Sequence, residues 1–168
     1  MTTPEYRSFE ASLGLPERFL LDLFKQDDWS FVIKLHALVE TALTRALVAH
    51  FNAPPTLADH FAQIPVGGTT GKIKLASKCG LITPKDKTFL DRFAELRNEL
   101  VHSVERVRFD FKIYVNSLSE EGRKQLVAAV REEKGQKTLL DDLLRDPHST
   151  FLARANPVLL RLAQVVDV

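Results

Sequence analysis

The chain has a single cysteine, Cys79, so no internal disulfide can form and no cluster of thiolates can hold zinc. Sparing use of cysteine fits a reducing compartment. Low-complexity tracts, long linkers and internal repeats are absent, which points to one domain spanning 1–168. Charge of one sign is scarce: the formal balance is +1, which argues against a coat protein that grips nucleic acid by overall charge and leaves local patches open. The start, Met1-Thr2-Thr3-Pro4-Glu5-Tyr6-Arg7, lacks the basic opening and apolar run of a signal peptide. No stretch approaches the roughly 18 consecutive apolar residues of a membrane span. The expectation is a cytoplasmic protein with no membrane partner.

What is present is a globular composition, 45% hydrophobic and 27% charged. A chain of 168 residues buries roughly 70% of its unfolded surface and holds together without a metal or a disulfide. Helical periodicity dominates and sets the fold class as all-α. A weak helix is expected over Pro4–Leu13, and Pro16 opens another through Phe24. Asp27-Asp28 are good N-cap types, and the helix behind them should run to about Phe51. Phe31, Val32, Leu35, Leu38, Val39, Ala42, Leu43 and Ala46 share one arc of it. Short helices follow over Leu57–Gln63 and Thr70–Cys79, the second stopped by Gly80. Thr83-Pro84-Lys85-Asp86 then places an N-cap, a proline at the first helical position and a carboxylate near the positive end of the dipole. That helix should reach about Ser103. Further helices are expected over Glu120–Glu133, over Thr138–Arg145 and beyond Pro157. One stretch disagrees: Phe109, Phe111, Ile113 and Val115 alternate with polar residues at strand spacing. The segment 109–115 is extended, pairs across a dimer, or is helical against its pattern, and the sequence does not choose.

On the helix opened by Pro84, Phe89, Phe93, Leu96, Leu100 and Val104 define a core face, and Arg97 falls inside it. A guanidinium there needs a partner, because an isolated buried charge costs several kcal/mol. Arg97 either snorkels to the edge, pairs with a carboxylate such as Glu40, or waits for an anion. His102 lies about 140° from Arg97 on the same helix, with Asn98 one turn before it and Asp91 and Glu95 on the same polar side. An arginine and a histidine that diverge on one helix converge when two copies of that helix pack antiparallel across a two-fold axis.

Arg97-Asn98-x-x-x-His102 near a helix end resembles the signature of the HEPN superfamily. The run Lys72-Ile73-Lys74-Leu75-Ala76-Ser77-Lys78-Cys79-Gly80-Leu81-Ile82 resembles the segment before that signature in mannitol-operon-repressor-like members. The likeness covers about 29–103, under half of the chain. It implies an up-and-down helical bundle with a core of about 27–104, extended by C-terminal helices over about 105–168. It also implies a homodimer that cleaves RNA without a metal or other cofactor, as a toxin or defence effector. Arg97 would bind the scissile phosphate, His102 would act as general base or acid, and Asn98 would orient phosphate or imidazole. A histidine exchanges protons near neutral pH, and a guanidinium fork matches phosphate geometry. The same branch equally implies a non-enzymatic transcriptional regulator or interaction module, with an antitoxin or regulatory protein as partner.

From Lys72 to Lys112 ten Lys/Arg face six Asp/Glu, a local excess of four positive charges. Either this bias gathers phosphate, with Lys72, Lys74, Lys78 and Arg106 as substrate contacts, or it is solvated helix surface. His36 and Glu40, one turn apart, line a pocket in support of Arg97 or form a satisfied pair at the core edge. Gly67-Gly68-Thr69-Thr70-Gly71-Lys72 is no P-loop: the glycine spacing is one residue short and Ile73 stands where Ser or Thr would hold magnesium. It reads as a turn before a helix. His50 and His60 have no carboxylate at ligand spacing, so no metal is expected. Cys79 reads as a buried helix residue.

Overall fold

The computed structural model describes residues 10–11, 14–102, 108–131 and 139–166. Among these the chain is all-helical: α1 (Phe19–Leu23), α2 (Asp28–His50), α3 (Pro55–Gln63), α4 (Lys72–Lys78), α5 (Pro84–Val101), α6 (Phe111–Ser117), α7 (Glu120–Val130), α8 (Leu139–Arg145) and α9 (Pro147–Val166). No helix of the described residues is long and apolar enough to cross a membrane. The helix expected over Pro4–Leu13 falls mostly outside the described residues.

The long helix α2 is the axis of the bundle. Asp27 caps it, its carboxylate accepting from the Ser30 N–H at 2.9 Å. All eight residues expected on its core face are buried, joined by His36 and Leu47. Its most extensive partner is α9, whose buried side carries Phe151, Leu152, Ala155, Val158, Leu159 and Leu162. Helices α1, α3, α4 and α5 pack against other parts of α2.

Helix α4 ends as its sequence dictates. Gly80 takes φ 72°, in the left-handed region where a side chain is strained, and the Leu81 N–H closes back on the Ala76 carbonyl at 2.9 Å. Cys79 is the half-buried C-cap residue and not a buried member of the helix. Helix α5 then opens with a reciprocal capping box: Thr83 Oγ1 accepts from the Asp86 N–H, and the Asp86 carboxylate accepts from the Thr83 N–H. Asp86, 3% exposed, also binds Arg154 at 3.0 Å and Arg161, both on α9. Burial pushes the Asp86 carboxyl up, yet the Thr83 hydrogen bonds and the two guanidiniums bring it below the ordinary carboxylate value. Arg154 additionally lies 5.0 Å over the Phe89 ring. This buried cluster ties the start of α5 to α9.

One alternative is chosen and one expectation is corrected. The alternating segment takes the helical alternative: α6 begins behind Asp110, which accepts from the Ile113 N–H, and Asp28 of α2 takes the Phe111 N–H at 2.7 Å. Helical spacing buries Phe111 and Val115, four apart, and leaves Ile113 71% exposed. The strand pattern arose because one of its apolar residues serves the surface. The last helix does not start beyond Pro157. It starts at Pro147 behind Asp146, whose carboxylate accepts from Ser149 N at 3.1 Å, and Pro157 sits inside it on the exposed side.

A candidate anion-binding groove around Arg97

The site is assembled by three pieces of chain. Helix α5 buries Phe89, Phe93, Leu96 and Leu100, and this pulls Arg97 to a half-buried position at the edge of the core. Helix α2 presents His36 and Glu40 one turn apart. The loop between α3 and α4 folds back on itself: the Lys72 N–H reaches the Pro65 carbonyl at 2.8 Å and the Ile73 N–H reaches Val66 at 3.0 Å. A Cβ at Gly71 would lie 2.2 Å from the Gly67 carbonyl oxygen, so only glycine permits this closure. The closed loop sets Gly67 against Ala94 of α5 and leaves Gly68 facing open space.

Between these pieces lies a cavity of about 370 Å³ lined by His36, Glu40, Gly67, Gly68, Arg97 and Asn98. Arg97 donates to the Asn98 side-chain oxygen at 3.1 Å, and among the described residues no carboxylate stands at ion-pair distance from it. Glu40, the candidate partner for Arg97, is held by Lys72 at 2.9 Å. Lys72 is therefore not the surface phosphate contact that composition suggests. It is 1% exposed, and its ammonium is shared between Glu40 and the Ala62 carbonyl. At the first position of α4 its side chain is trapped against α2, where an unpaired ammonium would be costly.

His36 is 5% exposed, and its ring centre lies 6.3 Å from that of Phe93. Burial lowers its pKa to about 4, helped by the charges of Arg97 and Lys72 and opposed by Glu40. The cavity thus holds a guanidinium, a primary amide, an imidazole that is neutral at neutral pH, and the Glu40 carboxylate paired with Lys72.

A second cavity of about 370 Å³ adjoins the first across Gly67, Gly68, Ala94 and Asn98, and is lined further by Lys74, Lys87, Asp91 and Glu95. Asp91 is engaged by Lys87, and Glu95 by Arg92 at 2.8 Å. Lys74 has no such partner among the described residues. Of the other expected contacts, Lys78 is exposed and lines neither cavity, and Arg106 lies outside the described residues. His102 is the exposed C-cap of α5, its N–H bonded to the Asn98 carbonyl at 3.3 Å, and it lines neither cavity. One chain therefore brings together Arg97, Asn98, His36 and Glu40, with Lys74 next door, and leaves His102 apart. The loop wall at Gly67-Gly68 is the part that sequence reasoning passed over as a plain turn.

Among the described residues no three of His, Cys, Asp and Glu converge as a metal cluster. No family model, curated protein or solved structure matches the chain.

Proposed function

We propose that the chain is a metal-independent endoribonuclease of the HEPN kind, a toxin or defence effector that works as a homodimer. The observation that carries this reading is the state of Arg97. It is a half-buried guanidinium lining a cavity, steadied by Asn98, and Glu40, the carboxylate that lines the same cavity, is already paired with Lys72. A cation at the edge of a core with no carboxylate at ion-pair distance among the described residues suits an anionic ligand, and its planar fork suits phosphate.

In this reading Arg97 and Asn98 hold the scissile phosphate and stabilise the charge that builds up on its oxygens. The ribose 2′-hydroxyl attacks the adjacent phosphorus, the bond to the 5′-oxygen breaks, and a 2′,3′-cyclic phosphate and a 5′-hydroxyl result. His102 of a second copy takes the hydroxyl proton as general base or supplies one to the leaving oxygen as general acid. Its exposed place at the end of α5 leaves the ring accessible to a symmetric neighbour.

Purified protein is expected to cleave RNA in EDTA. Arg97→Ala should lower the rate by about 10²–10³-fold and His102→Ala by about 10²–10⁴-fold. Cleavage by both variants at the wild-type rate would overturn the proposal.

The separation of His102 from the Arg97 cavity within one chain favours a second reading, a non-enzymatic regulatory module with a protein partner. Absence of cleavage by the wild-type dimer, with a partner protein bound through the Arg97 face, would select it.

A further inference from the structure

The two cavities beside α5 form one groove, and its charges are not arranged at random. Three carboxylates line it, and each has its own cation: Glu40 has Lys72, Asp91 has Lys87, and Glu95 has Arg92. Two lining cations have no carboxylate at ion-pair distance among the described residues, Arg97 in the first cavity and Lys74 in the second. The groove thus presents one uncompensated positive charge per compartment, with Asn98 lining both.

We propose that this groove takes two consecutive nucleotides of single-stranded RNA, one phosphate on Arg97 and Asn98 and the neighbouring phosphate on Lys74. The inference rests on the ribonuclease reading for its substrate class and goes beyond it in assigning a second subsite and a strand state. Each compartment, at about 370 Å³, has the size of a small-molecule site. Concave compartments suit bases splayed from a single strand, whereas a duplex keeps its bases stacked inside and offers mainly backbone and shape. The neutral imidazole of His36 and the amide of Asn98 supply hydrogen-bonding groups for a ribose or base without adding charge.

The test uses the whole chain and ligands that cannot be cleaved. Binding of a 2′-deoxy dinucleotide with a 5′-phosphate, of the corresponding mononucleotide and of a nucleoside diphosphate is measured by calorimetry at several salt concentrations. The dinucleotide should bind about tenfold tighter than the mononucleotide, as a second ion contact on one ligand allows. Lys74→Ala, a change at a half-buried helix position, should remove that advantage and leave mononucleotide affinity unchanged. It should also lower the slope of log affinity against log salt by about 0.7, the value of one single-strand phosphate contact. Equal weakening of both ligands by Lys74→Ala, or none, would overturn the second subsite. A nucleoside diphosphate bound as tightly as the dinucleotide would assign the groove to a free diphosphate instead. Dinucleotide binding with the expected Lys74 dependence in a protein that cleaves no RNA would overturn the ribonuclease reading alone.

Discussion

His36 shows how a single residue reports on the state of the site. Its ring is buried beside two cations, Arg97 and Lys72, and only Glu40 favours its charged form. The unfolded chain protonates such a ring near pH 6.5, and the folded chain does so only near pH 4. Between those values the unfolded state holds more protons, so stability falls as the pH drops from about 6.5 to about 4, by at most about 3 kcal/mol. Above 6.5 both states are neutral and the ring contributes no pH dependence. Asp86, with its carboxyl lowered below 3.8, acts in the other part of the scale: its contribution is present above that value and is lost only under more acid conditions. His36→Gln should therefore flatten the stability curve between pH 6.5 and 4 while leaving the loss below pH 4 in place, as read by urea unfolding across pH. A variant curve parallel to that of the wild type would contradict the buried neutral ring.

At the scale of elements, the ends of helices were legible and some of their faces were not. Asp27, Thr83-Pro84 and Gly80 each satisfy or terminate a backbone by local chemistry, so they carry their meaning in the sequence and the structure keeps it. Asp146-Pro147 carries the same start signal as Thr83-Pro84 but was overshadowed by Pro157. The segment 109–115 misleads for a different reason. Its helix is specified by the local Asp110 cap together with long-range acts, the Asp28 carboxylate taking the Phe111 N–H and the core taking Phe111 and Val115, and local alternation says nothing of these. Pro157 itself has no N–H to give its helix and crowds the preceding turn, and it survives because α9 is held by a continuous buried face. Pro157→Ala should restore that hydrogen bond and raise unfolding free energy by about 1–3 kcal/mol. A drop on substitution would mean that a bend at Pro157 is needed for packing on α2.

At the scale of the whole molecule, the near-neutral charge conceals how charges are paired. Arg97 was legible because spacing sets an arginine on a core face, whereas Asn98 was legible only through the motif resemblance. The pairing of Glu40 with Lys72, 32 residues apart, was not, and it decides which cations remain for a ligand. What one chain leaves incomplete is the meeting of Arg97 with His102, which the ribonuclease proposal assigns to two copies related by a two-fold axis. An isologous contact uses the same patch on both subunits, so each dimer would hold two composite sites. The direct measurement is to mix Arg97→Ala and His102→Ala proteins, allow subunits to exchange, and assay RNA cleavage. Half of the dimers would then be mixed, each with one intact site, and cleavage should recover to roughly one quarter of the wild-type rate. A mixture no more active than its separate components, despite demonstrated exchange, would contradict a site shared between two copies.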